Sequence, residues 1–184
     1  MQNILALDAS TRSTGWAIKK ENDEIIYGVI SASNKDARDR ILIMRDAIST
    51  IVATNDIGTV ILEEVRPDNM NGRTGQVLRW LQAAIVLDIF ENCSKDIDVE
   101  LIYPSSWRKV LGIQKYGVRR EEYKRKDVDF ANKAYNLNLS YDQDDEADAL
   151  CILTAYLKDH NALTQTEKVP KVICEDFDKK KSAF

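Results

Sequence analysis

Acidic residues lie in otherwise apolar surroundings at three places that are far apart along the chain. Asp8 ends the segment ILALD, Glu63 and Glu64 follow VIL, and Asp145 and Asp148 lie within DDEADAL. A carboxylate in apolar surroundings costs free energy unless a cation or hydrogen-bond donors satisfy it. Magnesium prefers oxygen ligands of this kind. If the three groups converge in the fold, they predict Mg²⁺-dependent chemistry on phosphate.

Simpler explanations exist for the first two groups. Asp8 can cap the turn through Ser10 and Thr11, as aspartate often does. Two glutamates at the end of a strand are also ordinary, and strand alternation places Glu63 and Glu64 on opposite faces. Only one of these glutamates can therefore point toward the same centre as Asp8.

The third group is more specific, because its spacing matches one face of a helix. Asp145 and Asp148 are three residues apart, and Asp144 and Asp148 are four apart, so either pair lies on one side of a helix. Negative charge in a first helical turn suits the helix dipole, which is the simpler explanation of Asp144 and Asp145. The dipole does not explain Asp148, which lies between two alanines and is predicted to be partly buried.

Sequence periodicity places these acids on an α/β framework. Alternation and turn residues predict strands, and apolar residues at helical spacing predict helices. The expected strands are 3–8, 14–20, 24–31, 59–65 and 99–103, and the expected helices are 37–54, 76–92, a short segment from Pro104, 120–136 and 144–158. This order predicts a mixed five-stranded sheet flanked by helices, with the first three strands in an antiparallel meander. Several folds share it, so the order alone does not determine function.

The helix expected at residues 76–92 has apolar residues on nearly every side. They are Val77, Leu78, Trp80, Leu81, Ala84, Ile85, Val86, Leu87, Ile89 and Phe90. Such a helix must be covered on more than one side. One side can cover the sheet while another meets a second subunit, and the alternative is a helix wholly buried within one subunit.

Composition is typical of a globular protein with one domain. The chain has 184 residues, of which 44% are hydrophobic and 30% charged, and it lacks the run of about 18 apolar residues that spans a bilayer. The start MQNI has no basic region typical of a signal peptide, and three widely spaced cysteines fit reduced cytosolic thiols. We expect a cytoplasmic protein without membrane contact, with a domain over residues 1–160 and a polar, mobile tail over 161–184.

Histidine content and charge distribution narrow the chemistry. A single histidine, His160, argues against a His-based triad or a histidine-rich metal site, so carboxylates must act if the chain is an enzyme. The net charge is −4, yet residues 108–126 hold eight basic residues against Glu121 and Glu122. Such a segment can bind phosphates without sequence preference. A solvated helix face is the simpler explanation.

Together, the three acidic motifs resemble RuvC-type Holliday junction resolvases of the ribonuclease H-like superfamily, in a phage-type member. The resemblance rests on LALDASTRSTGW at 5–16, ILEEV at 61–65 and DEADAL at 145–150, and it covers residues 1–158. It implies a ribonuclease H-like fold and a crossover junction endodeoxyribonuclease that hydrolyses DNA with two Mg²⁺ ions, for which Mn²⁺ substitutes. Position by position, it implies that the metal ligands and catalytic acids are Asp8, Glu63, Asp145 and Asp148. Without metal, four such carboxylates should show raised and coupled pKa values.

The resemblance also implies partners. They are branched DNA and a second copy of the chain, since a four-way junction has two-fold symmetry, with helix 76–92 as the candidate interface and no nucleotide cofactor. The expected setting is a bacterial or phage-infected bacterial cytoplasm. The expected DNA contacts are Arg66, Arg73, Lys115, Arg119, Arg120, Lys124, Arg125 and Lys126. The family commonly has an aromatic residue where this chain has Arg66. This difference points to charge-based or less selective binding of branched DNA.

Three alternatives stay open from the sequence. One is a different ribonuclease H-like nuclease, acting on RNA–DNA hybrids or as a transposase. Another is a sugar-kinase or actin-type ATP-binding domain, in which the turn after Asp8 would contact phosphate, although seven glycines leave little room for its glycine-rich loop. A third is a non-catalytic module that binds branched DNA, against which the retention of four acids argues.

Overall fold

The fold is a mixed sheet with helices on both faces. The computed structural model describes residues 2–65, 72–93 and 96–160 and the backbone of 172–174. Its strands are β1 (Asn3–Asp8), β2 (Ser13–Lys19), β3 (Ile25–Ser31), β4 (Ile57–Glu63), β5 (Asp98–Ile102) and β6 (Val172–Cys174). Its helices are α1 (Ala37–Thr54), α2 (Arg73–Asp88), α3 (Pro104–Leu111), α4 (Arg120–Tyr135) and α5 (Asp144–Asp159), and a π-helical turn at Ile89–Cys93 extends α2.

The strands form one sheet in the order β5-β4-β1-β2-β3-β6. β1, β2 and β3 pair antiparallel, and the tight turn between β2 and β3 is closed by the Lys20 amide, which donates to the Glu24 carbonyl at 2.8 Å. β4 runs parallel to β1, and β5 runs parallel to β4. The predicted mixed sheet of five strands and its antiparallel meander are therefore confirmed.

Some boundaries differ from the prediction. β4 begins and ends two residues earlier than expected, because Asp56 turns the chain with a left-handed φ of 48° and pairing with β1 starts at once at Ile57. Glu63 is consequently the last residue of β4. Within the expected tail, β6 adds a short sixth strand parallel to β3. The rest of 161–184 lies outside the described residues, and the domain boundary stays a prediction.

Side chains of the central strands alternate between two cores. The face that we call the apolar face is covered by α1 and α2, and its strand residues include Leu5, Leu7, Trp16, Ile18, Val60 and Leu62. The face that we call the site face is covered by α3, α4 and α5, and its strand residues include Ala6, Ala17, Ile25, Tyr27 and Ile61. The alternation follows from the two-residue period of a strand.

Helix α5 is the centre of the site face. It packs against the sheet and against α3 and α4, so every residue from Glu146 to Ala155 is buried. Despite this burial, α5 and the other helices of the described residues are too short or too polar to span a membrane.

Candidate active site

Asp8 and Glu63 lie at the ends of neighbouring strands. They are the last residues of β1 and β4, which are parallel neighbours. Parallel strands end at the same edge of a sheet, so the two carboxylates emerge side by side. Ala6 and Ile61, two residues earlier, are buried in the site face, and alternation therefore directs Asp8 and Glu63 to that face.

Glu64 points the other way. Its neighbour Leu62, two residues earlier, belongs to the apolar face. The Glu64 Oε1 atom accepts a hydrogen bond of 3.0 Å from the hydroxyl of Tyr103, just beyond the end of β5. The parity argument that separates Glu63 from Glu64 agrees with this placement.

Gly15 allows the beginning of α5 to approach the strand ends. It lies directly opposite Asp8 in the β1–β2 ladder. A Cβ atom at Gly15 would overlap the backbone carbonyl of Asp145, so only glycine permits this contact. The first turn of α5 therefore rests on β2 beside Asp8, and it brings Asp145 and Asp148 to the same place.

The charges of the four predicted acids act on one another. Burial raises the pKa of Asp8 well above its ordinary value of 3.8, and the charges of Glu63 and Asp145 raise it further. Burial also raises the pKa of Asp148 well above 3.8, and the charges of Asp8, Asp127 and Glu63 add to the effect. The expectation of raised and coupled pKa values is confirmed for Asp8 and Asp148.

Hydrogen bonds and charges from α3 hold two of the acids. The indole Nε1 of Trp107 donates to Glu63 Oε2 at 2.8 Å. A guanidinium nitrogen of Arg108 lies 4.0 Å from Asp148 Oδ2, while the buried Asp148 Oδ1 has no hydrogen-bond partner. Among the described residues, no three acidic, histidine or cysteine side chains form a preassembled metal site in this structure.

Lys124 connects the basic segment to the acids. Its ammonium group pairs with the carboxylate of Asp144, and its positive charge works against the rise in the pKa of Asp8. The charge of Asp145 acts directly on Asp8, whereas Asp144 pairs with Lys124. This difference favours Asp145 over Asp144 as a member of the acidic group.

The remaining predicted DNA contacts are distributed over two elements and the loop before α4. Lys115 and Lys126 lie 3.5 and 3.8 Å from Glu122, and they flank the exposed residues Arg119, Arg120 and Arg125. Arg73 is exposed at the first turn of α2, on a different element. Arg66 lies outside the described residues. The structure thus groups six of the eight predicted contacts around α4: Lys115, Arg119, Arg120, Lys124, Arg125 and Lys126.

The sequence analysis did not select Trp107, Arg108 and Asp127 as site residues. Arg108 forms two hydrogen bonds of 3.1 and 2.7 Å to Asp127 Oδ2, and its guanidinium carbon lies 4.0 Å from the centre of the Trp107 ring. A signal existed for Asp127, because Ala131 and Tyr135 follow it at helical spacing and predict a buried position. The contacts of Trp107 have no signal in the local sequence.

A family model described as Lactococcus phage M3 protein matches residues 1–159. The chain belongs to this family. The match includes β1–β5 and all five helices. Among curated proteins, no sequence matches this one.

Solved structures with a similar fold include RuvC and a mitochondrial Holliday junction resolvase. Thermus thermophilus RuvC has a TM-score of 0.65 and 14% sequence identity, over 87% of this chain and 96% of RuvC. The same protein in complex with Holliday junction substrate has a TM-score of 0.66 at 14% identity, with the same coverage of 87% and 96%. The yeast mitochondrial Holliday junction resolvase Ydc2 has a TM-score of 0.52 and 12% identity, over 84% of this chain and 77% of Ydc2. The predicted ribonuclease H-like fold of the RuvC type is confirmed, and a phage family agrees with the phage-type assignment.

Proposed function

We propose that this chain is a Mg²⁺-dependent, structure-specific endonuclease that resolves four-way and other branched DNA junctions by paired nicks. The observation that carries this proposal is the electrostatic coupling of acids from β1, β4 and α5 on one face of a RuvC-type fold. A basic segment beside these acids gives the phosphate backbone a place to bind.

The proposed ligands and catalytic acids are Asp8, Glu63, Asp145 and Asp148. Hard oxygen donors of this kind suit Mg²⁺ and Mn²⁺, and the unpaired, buried Asp148 Oδ1 is a polar atom that a cation would satisfy. These four residues would hold the divalent ions, whose chemistry would be activation of a water and stabilisation of charge on the leaving 3′-oxygen. The chain itself holds Asp8 and Glu63 on rigid strand ends and closes the site from one side with α5.

The basic residues around α4 have the chemistry to bind DNA next to this acidic centre. Lys124 neutralises part of the negative charge through Asp144, and the exposed Arg119, Arg120 and Arg125 can pair with phosphates that pass over α4. Because phosphate contacts release counterions, binding should weaken steeply with salt.

A second copy of the chain is the proposed partner of α2. Trp80, Leu87 and Phe90 are exposed by 59%, 56% and 46%, so the alternative in which this helix is wholly buried within one subunit is wrong. A two-fold dimer through this surface would cover the apolar side chains and would provide one active site for each of two opposing strands. We place the activity in the cytoplasm of a phage-infected bacterium.

The test is cleavage of a synthetic four-way DNA junction in Mg²⁺, beside a linear duplex and an RNA–DNA hybrid, by the wild-type chain and by Asp8→Asn. We expect paired nicks in opposing strands of the junction, lost in Asp8→Asn. Preferred cutting of the hybrid would assign the chain to ribonuclease H chemistry instead. Binding of the junction without metal-dependent cleavage of any substrate would leave a binding module and refute the nuclease.

A further inference from the structure

Trp107 makes a hydrogen bond that its burial demands. Its side chain is fully buried in the site face, and its Nε1 donates to Glu63 Oε2 at 2.8 Å. A buried indole N–H needs an acceptor, and an indole can only donate. Trp107 is therefore the donor and Glu63 the acceptor. The bond connects a carboxylate at the end of β4 to a helix residue 44 positions further along the chain.

The ring of Trp107 is held in place by neighbouring side chains. The guanidinium of Arg108 covers its ring at 4.0 Å and lies 5.1 Å from the centre of the Tyr123 ring. Arg108 in turn is anchored by its paired hydrogen bonds to the fully buried Asp127. Because each partner of the indole is fixed, the direction of its N–H is fixed as well.

The chemistry of the indole suits a carboxylate that must keep its charge. A lysine or arginine at this distance from Glu63 would orient the carboxylate but would also neutralise it. The neutral N–H of Trp107 orients the carboxylate without adding a positive charge, although the charge of Arg108 also acts on Glu63. A glutamate side chain also has several rotamers, and holding one of them in advance removes an entropic cost from metal binding.

We propose that Trp107 is a positioning residue for the metal site: its N–H holds the Glu63 carboxylate in the orientation that binds the divalent cation. This inference rests on the proposed function, in which Glu63 is a metal ligand. Groups that orient a ligand from outside the coordination sphere typically change metal affinity or activity by 10- to 100-fold. Trp107 would act through Glu63 and would not touch the DNA.

The first test is Trp107→Phe, which removes the N–H and keeps an aromatic ring under Arg108. We expect the Mn²⁺ concentration that half-saturates the DNA-free protein, measured by calorimetry, to rise about 10- to 100-fold. The Mg²⁺ concentration for half-maximal junction cleavage should rise similarly, with activity partly restored at high Mg²⁺. The matched control is Tyr103→Phe, which removes the donor to Glu64 and should leave both concentrations unchanged.

The outcomes separate this inference from the proposed function. If Trp107→Phe binds Mn²⁺ as the wild type does, the inference fails while junction cleavage by the wild type still stands. If the wild type neither binds Mn²⁺ nor cuts the junction, both fail. Trp107→Phe should lower the melting temperature more than Tyr103→Phe does, because Trp107 is fully buried and Tyr103 is exposed. A general loss of structure would appear instead as weaker junction binding in metal-free buffer, which we do not expect in either variant.

A measurement on the intact wild-type chain covers the case in which the variant does not fold. The chain has three tryptophans, so its indole N–H resonances can be assigned by single substitutions at the other two, Trp16 and Trp80. On titration with Mg²⁺, the Trp107 resonance should shift and saturate together with cleavage activity. A Trp107 resonance that does not respond to saturating Mg²⁺ would overturn the inference.

Discussion

The two faces of the sheet differ in what they bury. On the site face, Arg108, Asp127, Glu146 and Asp148 are all buried. The core of the apolar face consists of apolar residues, and the buried charge on α1, Arg40, donates to two backbone carbonyls. Among the described residues, the buried acidic residues therefore lie on the site face, while Asp88 on α2 is only partly exposed and lies beside Arg45.

The difference has an energetic meaning. Burying an ion costs several kcal/mol unless partners compensate for it, and the net stability of a domain is only about 5–15 kcal/mol. Charge concentrated on one face is therefore a sign of function more than of folding. The side of α2 that faces the sheet belongs to the core of the apolar face. The opposite side of α2 carries exposed apolar residues.

The largest expected effect contrasts two adjacent glutamates on opposite faces. Glu63→Gln should reduce junction cleavage by more than about 100-fold, because loss of an outer-sphere partner alone typically costs 10- to 100-fold. Glu64→Gln should retain activity near that of the wild type, since its hydrogen bond to Tyr103 lies on the other side. Initial rates on the same junction would measure both. Equal losses in the two variants would contradict the assignment of Glu63.

The next effect contrasts two ion pairs. Arg108→Met leaves the fully buried Asp127 without its partner and should lower the free energy of unfolding by about 3–5 kcal/mol. Arg38 at the start of α1 pairs with Asp36, and their side chains are 84% and 45% exposed, so Arg38→Ala should have a much smaller effect. Urea unfolding would compare the two. A similar small loss in both would mean that the buried pair adds little to the site face.

Two glycines provide a contrast in packing. Gly15→Ala places a methyl group against the Asp145 carbonyl and should destabilise the fold by about 1–3 kcal/mol or more, while moving α5 away from Asp8. Gly72, at the start of α2, has open space around it, so Gly72→Ala should cost at most about 1 kcal/mol. Thermal unfolding and cleavage rates would test both. A fully active Gly15→Ala would refute the proposed contact.

The pH dependence of stability should follow the acids of the site face. Burial and neighbouring charges raise the folded-state pKa of Asp8 above 3.8, so the folded chain keeps a proton that the unfolded chain has released. The contribution of Asp8 to stability is complete below its pKa in the unfolded state. It is lost as pH rises through its pKa in the folded state.

Without divalent metal, the free energy of unfolding should therefore fall as pH rises above about 4, by up to about 1.4 kcal/mol per pH unit for each such proton. Asp8→Asn should make this slope shallower, and urea unfolding over the pH range measures it. An unchanged slope would show that Asp8 titrates normally.

The smallest effect on stability concerns the outer side of α2. Replacing Trp80 and Leu87 with serine should change the free energy of unfolding by no more than about 0.5 kcal/mol each, because both are exposed, yet it should convert the proposed dimer into monomers. Val110→Ser, at an exposed apolar residue of α3, is the control and should leave the oligomeric state unchanged. Light scattering after size exclusion measures the mass. A wild-type chain that is already monomeric would refute the dimer.

The sequence by itself determined much of the framework, and its resemblance to a family suggested four acids whose role as ligands stays a prediction. Strand alternation is local, so it separated Glu63 from Glu64 correctly, and helical spacing placed Asp145 and Asp148 on one side of α5. The antiparallel meander followed from short connections between strands. Errors were confined to element ends, such as β4, where the left-handed Asp56 sets the start of pairing, and to β6, whose pairing with β3 joins residues far apart along the chain.

Only the tertiary structure decided how the acids are held. The bond from Trp107 to Glu63 spans 44 residues, and the pair of Arg108 and Asp127 spans 19. Neither periodicity nor spacing encodes such contacts, because they depend on how α3 and α4 pack against the sheet. The closeness of α5 to β1 likewise depends on one missing Cβ at Gly15. Local patterns identify the groups that carry charge, while long-range packing sets their distances and therefore their pKa values.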